Sequence, residues 1–214
     1  MNPKFILNLF VFAFCSLFQL NAQTMQVQTN WWQPAGVVNT MVKHPSKNVV
    51  FIGGDFTKIG PRIGDNAMML DSSTGMVKYG FPGANDTVKT IISDGKGGFF
   101  IGGSFTQVGD SLRNRIAHID SNGQVTALFR GNGFNATVNA LVLDSNKLYA
   151  GGLFTTYNNK NSSHVAALSV SDGSLYSWSV QITGNVNCLA FASGTLYAGG
   201  QIITVNGVGR NSIA

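Results

Sequence analysis

A Gly-Gly pair that returns at nearly constant spacing is the sequence feature that most restricts the fold of this chain. The four pairs are 49, 49 and 48 residues apart, at Gly53-Gly54, Gly102-Gly103, Gly151-Gly152 and Gly199-Gly200. Each pair follows a short apolar run, as in "VVFIGGDFT" and "KLYAGGLFT". Four copies in constant order predict a repeat protein.

Other elements recur with the same period. A segment beginning with valine precedes each glycine pair, and a turn rich in Asp, Asn, Ser and Gly follows, as in "DSSTG" and "DSNG". Each unit therefore reads as four short strands joined by hairpin turns. The first strand has apolar residues on both faces, which predicts that neighbouring sheets cover both of its sides. The pattern predicts an all-β fold, a β-propeller whose blades contain about 49 residues.

The residue after the glycine pair changes from copy to copy. It is Asp55, Ser104, Leu153 and Gln201 in turn. A catalytic or metal-binding carboxylate would be expected to persist at equivalent positions, and this one does not. The glycines are therefore interpreted as structural residues that let a strand bend or a neighbouring backbone approach closely.

The repeat resembles a known family. Gly-Gly-x-Phe-Thr, an Asn-x-Ile-Ala segment, an Asp-x-x-Gly turn and Val-x-x-Leu are similar to the delta-60 repeat propellers, which are kelch-like and occur in exported bacterial proteins. The resemblance covers residues 30–214. It implies a propeller in an exported protein, and it implies no catalytic residues that can be assigned to positions of this chain.

The first 22 residues have the pattern of a secretory signal peptide. Lys4 precedes an apolar run that ends at Leu20, and cleavage is predicted between Ala22 and Gln23. The apolar run is shorter than the ~20 residues that a membrane-spanning helix needs. No second such run follows, so the sequence predicts a secreted or cell-surface protein without a transmembrane span in its mature chain.

The repeat also predicts the domain boundaries. Residues 23–36 are interpreted as an N-terminal strand of an incomplete, closing blade. The blades are then predicted at 37–86, 87–136, 137–185 and, in part, 186–214. About three and a half blades are fewer than the 4–8 of most propellers, so we expect the chain to be the N-terminal part of a longer protein.

Composition limits the partners. Charged residues make up 11% of the chain, the formal net charge is +5, and the basic residues are scattered singly. This distribution does not predict a nucleic-acid interface. A surface rich in Asn, Ser, Thr and Gly favours a polysaccharide or a protein as the partner.

Few side chains are candidates for chemistry. The histidines His44, His118 and His164 occupy non-equivalent positions, so no metal site is predicted, and no cofactor or catalytic residue is assigned. Cys188 replaces small residues of the other copies and is expected to be a buried thiol. The aspartates at Asp71, Asp94, Asp120, Asp144 and Asp172 lie in predicted hairpin turns.

Aromatic residues recur near the predicted fourth strands, at Phe81, Phe129 and Trp178. Their recurrence favours packing over ligand binding. Trp31 and Trp32 are the ligand-binding candidates, because only the first copy has two adjacent aromatic residues at this place in the repeat.

The sequence favours an exported binding or interaction scaffold over an enzyme. One alternative is a secreted glycan-active hydrolase or lyase whose catalytic residues lie largely outside this chain. Another alternative is a structural repeat module that carries a C-terminal sorting or adhesion domain.

Overall fold

A computed structural model describes residues 34–60, 62–78, 80–178, 180–210 and 212–213. The predicted signal peptide, the cleavage pair Ala22 and Gln23, and Trp31 and Trp32 lie outside these ranges. Within the described ranges the chain forms 18 strands and no helix. The same residues accordingly contain no helix with the length and hydrophobicity of a membrane span.

The strands form four antiparallel sheets in chain order. The first sheet contains β1 (Pro34–Lys43), β2 (Val49–Ile59), β3 (Arg62–Ile63), β4 (Ala67–Asp71) and β5 (Val77–Lys78), in the order β1-β2-β4-β5 with β3 paired to β2. The second contains β6 (Val88–Ser93), β7 (Phe99–Gly103) and β10 (Ile116–Ile119), with a small hairpin of β8 (Gln107–Val108) and β9 (Ser111–Leu112).

The third sheet repeats this plan, and the fourth repeats its first two strands and the short strand that pairs with the end of the second. The third contains β11 (Val138–Asp144), β12 (Lys147–Gly152) and β15 (Val165–Ser169), with a hairpin of β13 (Thr156–Tyr157) and β14 (Lys160–Asn161). The fourth contains β16 (Ile182–Ala192), β17 (Thr195–Val205) and β18 (Val208–Gly209).

In the first three predicted blades the fourth strand is much shorter than the other three. It is the two-residue β5 in the first sheet. In the second and third sheets it is reduced to the single bridges Ile119–Val125 and Leu168–Leu175. In the second sheet, Phe129 has a φ of 59° and Gly131 a φ of 106°, so the backbone there leaves the extended conformation.

The sheets stack face to face, as predicted. One apolar cluster joins Val49 and Phe51 of the first sheet to Ile91 and Ile101 of the second. Two further clusters join the second sheet to the third and the third to the fourth. Burial of each Val, Leu, Ile or Phe side chain contributes about 1.5–3 kcal/mol. The prediction of an all-β, partial propeller is confirmed.

Hydrogen bonds between first strands reinforce this stacking. The Asn39 side-chain amide donates to the Val88 carbonyl at 3.1 Å, and Asn139 donates to the Val186 carbonyl at 2.9 Å. The Ile91 backbone N–H donates to Thr40 Oγ1 at 3.1 Å. Strands that start successive blades are therefore tied together directly.

The first glycine of each of the first three pairs accommodates a valine of the next sheet. A Cβ built at Gly53 would lie 2.5 Å from Val88 Cγ1, and one at Gly102 would lie 2.7 Å from Val138 Cγ1. The second glycine has a different neighbour. A Cβ at Gly54 would overlap the carbonyl oxygen of Val37, on the paired strand of the same sheet. The two glycines therefore make room for different neighbours.

Candidate functional site

A cleft of about 500 Å³ opens between the first and second sheets. Its walls come from the β1–β2 turn and the strands β2, β4 and β5 on one side. On the other side they come from the β6–β7 turn, β7, the end of β10 and the turn 120–123 that follows it. The cleft therefore lies where hairpin turns of two neighbouring sheets meet, which is where loops can vary while the sheets stay fixed.

Three phenylalanine rings form the apolar wall of this cleft. The ring centroids of Phe51 and Phe99 are 3.8 Å apart, and those of Phe51 and Phe81 are 5.0 Å apart. Phe51 and Phe99 are buried, whereas Phe81 is half-buried. Phe81 therefore presents part of its ring to the cleft.

Polar side chains line the rest of the cleft. Lys47 Nζ donates to the Ser121 carbonyl at 3.0 Å, which bridges the two sheets. Lys78 Nζ pairs with Asp71 Oδ2 at 3.1 Å. Asp120 Oδ1 accepts from the backbone N–H groups of Asn122 and Gln124, both at 2.9 Å. Part of the hydrogen-bond acceptor capacity of this carboxylate is thus used by the turn in which Asp120 lies.

His44 is buried beside the cleft with one ring nitrogen unpaired. Its Nδ1 accepts from the backbone N–H groups of Ser46 at 3.1 Å and Lys47 at 3.0 Å. A neutral ring with this arrangement has its proton on Nε2. Nε2 is buried and has no hydrogen-bond partner among the described residues. It faces Gly97, where a Cβ would lie 3.4 Å away.

At the equivalent turn of the second sheet, both carboxylate oxygens and both imidazole nitrogens have hydrogen-bond partners. Asp94 is the counterpart of His44 in the repeat, and its Oδ1 accepts from the backbone N–H groups of Lys96 and Gly98 at 2.7 and 2.8 Å. Asp94 Oδ2 pairs with His118 Nε2 at 3.0 Å. His118 Nδ1 in turn lies 3.1 Å from Thr126 Oγ1.

The pKa of Asp94 reflects this environment. Burial of the carboxyl raises its pKa, but the hydrogen bonds from His118, Lys96 and Gly98 outweigh burial and lower the pKa below its ordinary value. The ionised form of Asp94 is therefore favoured, and both of its carboxylate oxygens have partners within the second sheet.

Two substitutions leave the corresponding region of the first sheet open. Met69 stands where the second sheet has His118, and a thioether cannot replace an imidazole as a hydrogen-bond partner. Phe81 stands where the second sheet has Phe129, which is fully buried. The cleft with its unpaired Nε2 is therefore a difference between the first sheet and the second.

The other sequence candidates are scattered over the fold. His164 Nδ1 lies 3.3 Å from the Gly152 carbonyl, in the third sheet. The described residues hold no group of three or more His, Cys, Asp or Glu side chains that could bind a metal ion. Trp178 is partly exposed and packs against Tyr149, with ring centroids 5.6 Å apart.

The prediction that Cys188 is buried is wrong. Its side chain is exposed. The residues at equivalent positions of the first three sheets face the next sheet, and no described residue of this chain covers the fourth sheet in the same way. A buried Cys188 would need a further sheet over the fourth one.

Comparison with known proteins agrees with the architecture. The family described as "Domain of unknown function (DUF5122) beta-propeller" matches residues 93–126, which include Asp94, His118 and Thr126. No curated protein matches the chain.

Two crystal structures of computationally designed proteins are similar to the chain. The match to the Ika4 protein has a TM-score of 0.55 at 16% identity and covers 81% of this chain and 92% of that one. The match to the Ika8 protein has a TM-score of 0.54 at 16% identity and covers 78% of this chain and 44% of that one. At this identity the likeness concerns the fold alone. The chain contains a β-propeller domain.

Proposed function

We propose that this chain is an exported interaction scaffold of the delta-60 repeat type, and that it binds an acidic polysaccharide in the cleft between its first two sheets. The observation that carries the proposal is the departure of this cleft from the arrangement in the second sheet, which leaves His44 Nε2 buried and unpaired. The second sheet demonstrates that the fold itself does not require an unpaired histidine nitrogen at this turn.

The departure costs stability unless a ligand compensates for it. A buried donor without a partner costs about 1–3 kcal/mol. A ligand oxygen at the base of the cleft would accept a hydrogen bond from His44 Nε2–H. The partly exposed ring of Phe81 adds an apolar surface beside this donor. Binding sites commonly combine such a surface with a few polar groups.

The other groups that line the cleft favour a sugar. The C–H face of a pyranose ring would pack on Phe81. Its hydroxyl groups would exchange hydrogen bonds with Asn48 and Asn122, which line the same cleft. Lys47 supplies a cationic group that has no carboxylate partner among the described residues, which favours a sugar that carries a carboxylate. The formal net charge of +5 acts in the same direction.

The predicted signal peptide supports an encounter with such a polymer outside the cell. The scaffold would hold the polysaccharide without cleaving it, since the aspartates nearest the cleft serve other contacts. Asp120 accepts hydrogen bonds within its own turn, and Asp71 pairs with Lys78.

Affinity electrophoresis tests the proposal. Polygalacturonate in the gel is expected to retard the purified full chain, and dextran at the same concentration is expected to retard it much less. Phe81→Ala and Lys47→Gln should each weaken the retardation by polygalacturonate about tenfold, which corresponds to about 1.4 kcal/mol.

Matched variants of the third sheet serve as controls. Trp178→Ala removes a partly exposed ring, and Lys160→Gln removes an exposed charge, both outside the cleft. These two variants should be retarded like the wild-type chain. Equal retardation by both polymers, or equal losses in cleft and control variants, would refute the proposed site. New reducing ends in the polygalacturonate would instead favour the hydrolase or lyase alternative.

A further inference from the structure

Arg113 is a buried cation without an acidic partner. It follows β9 in the second sheet and is 6% exposed. Its Nη1 donates to the Leu112 carbonyl at 2.6 Å, and its Nη2 donates to the Thr126 carbonyl at 2.5 Å. Its Nε is buried and has no hydrogen-bond partner among the described residues. Arginine is rarely buried unless it is paired, and no described carboxylate forms an ion pair with Arg113.

A loop of residues 126–132 lies against this side chain. Arg113 donates to the carbonyl of Thr126, where the loop begins. The next residue, Asn114, binds the other end of the loop, because its Nδ2 donates to the Asn132 carbonyl at 3.0 Å. Both ends of the loop are therefore attached to adjacent residues of the second sheet, which keeps the loop beside the Arg113 guanidinium.

Arg130 brings a second guanidinium to this loop. It is exposed, and no described carboxylate pairs with it. Burial lowers the pKa of Arg113, and the positive charge of Arg130 lowers this pKa further, so the two side chains are close enough to repel each other. The described part of the chain thus places two cations together here and pairs neither of them with an anion.

The fold does not require a buried cation at this position. The repeat aligns Arg113 with Gly64, Ser162 and Arg210 in the other three sheets. Gly64 and Ser162 carry no charge. Arg210 donates to the carbonyl of the residue before it, Gly209, just as Arg113 does, but Arg210 is exposed. Of these four positions, only the one in the second sheet buries a guanidinium.

We propose that Arg113 and Arg130 form a binding site for an oxyanion, which is a sulfate, phosphate or carboxylate group. The unpaired Nε–H of Arg113 donates to one oxygen of the anion, and the guanidinium of Arg130 donates to another. The anion also offsets the repulsion between the two cations. Because Nε is covered, the anion reaches it only when loop 126–132 moves, so binding alters the loop as well.

This site is separate from the proposed polysaccharide cleft, because neither arginine lines that cleft. The Nε2–H signal of His44 reports on the cleft, whereas the Nε–H signal of Arg113 reports on the oxyanion site. The two proposals can therefore fail independently.

A nuclear magnetic resonance titration of the ¹⁵N-labelled full chain with sodium sulfate, at constant ionic strength, tests the proposal. Sulfate should shift the Nε–H signal of Arg113 to saturation, together with the backbone amide signals of loop 126–132. Arg210 is the matched control, because it makes the same bond to the preceding carbonyl in an exposed position. Its Nε–H signal and that of His44 Nε2–H should stay in place.

Two variants show whether the second guanidinium takes part. Arg130→Gln removes an exposed charge and leaves Arg113 in place, and it should weaken sulfate binding about tenfold. Arg210→Gln should bind sulfate like the wild-type chain. An Arg113 signal that sulfate leaves in place, or an affinity that Arg130→Gln does not change, would overturn the proposal.

Galactose 6-sulfate distinguishes the two sources of the anion. Tighter binding than that of inorganic sulfate would support the site and identify its ligand as the acidic group of a larger molecule. Equal or weaker binding, with inorganic sulfate still saturating the Arg113 signal, would support a site for a free anion.

Discussion

The hydroxyl of Tyr157 donates a hydrogen bond to the carbonyl oxygen of Gly173 at 2.7 Å, inside the third sheet. This bond ties the β13–β14 hairpin to the turn that follows β15. Burial of the phenol raises the pKa of Tyr157 to about 12, with a smaller contribution in the same direction from Asp172 and an opposing one from a hydrogen bond with Asn158. The neutral form of Tyr157 is therefore favoured in the folded state.

Tyr157→Phe should lower the free energy of unfolding by about 1 kcal/mol, because the Gly173 carbonyl loses its buried partner. Since the folded pKa lies above the unfolded one, the stabilisation is complete below about pH 10 and is lost as the pH rises towards 12. Urea titrations of both proteins at pH 7 and pH 11 measure the difference. A wild-type chain that loses no more stability at pH 11 than Tyr157→Phe would contradict this assignment.

The glycine under each interblade valine should not tolerate a side chain. A Cβ at Gly151 would lie 2.5 Å from Val186 Cγ1, so Gly151→Ala should lower the free energy of unfolding by about 1–3 kcal/mol through overpacking. In a Val186→Ala background the same change should cost about 1 kcal/mol less, because the clashing methyl group is absent. Chemical denaturation of the four proteins of this cycle measures the coupling.

Gly209→Ala is the control for that cycle. No heavy atom lies within 4 Å of a Cβ built at Gly209, so this variant should leave stability nearly unchanged. Additive effects of Gly151→Ala and Val186→Ala would show that the glycine is not required by the valine.

The hydrogen bonds of Asp94 should appear in the acid stability of the chain. Because its folded pKa is lowered, Asp94 stabilises the fold above the ordinary carboxyl pKa of about 3.9. This contribution is lost as the pH falls through the folded pKa. Asp94→Asn should lower the free energy of unfolding at pH 7 by about 1–3 kcal/mol and should reduce its decline between pH 5 and pH 2.

His118→Met installs the residue of the first sheet and removes one hydrogen-bond donor to Asp94, so it should reduce the acid dependence by a smaller amount. The decline that remains in Asp94→Asn is assigned to Asp71 and Asp172. Hydrogen bonds, the strongest from the Ser73 hydroxyl, lower the pKa of Asp71. Hydrogen bonds, the strongest from the Ser174 backbone N–H, lower the pKa of Asp172. Parallel acid profiles for the wild-type chain and Asp94→Asn would refute the role of Asp94.

Much of the fold is predictable from the sequence because its contacts repeat. The glycine pairs and the valines before them recur at a fixed spacing, and each pair of neighbouring sheets uses the same contact between Gly102 and Val138 or their counterparts. The shortness of the fourth strands is not predictable in this way. It depends on backbone conformations such as the positive φ of Phe129, which residue type does not determine.

The candidate site is much less predictable. The repeat aligns His44 with Asp94 and Met69 with His118, so the sequence contains both substitutions. It does not show that together they leave Nε2 buried and unpaired, because that depends on which side chains meet across two sheets. The burial of Cys188 was predicted wrongly for a related reason. A repeat pattern does not show whether another sheet packs over the one that contains Cys188.

The most direct test of the proposed function is the ring resonance of His44. In ¹⁵N-labelled full chain, trigalacturonate should shift the Nε2–H signal of His44 progressively and to saturation, because a ligand oxygen then accepts from it. The ring signals of His118, already paired with Asp94, should stay in place. If the sugar binds and leaves the His44 signal unchanged, the cleft is not its site and the proposed function is contradicted.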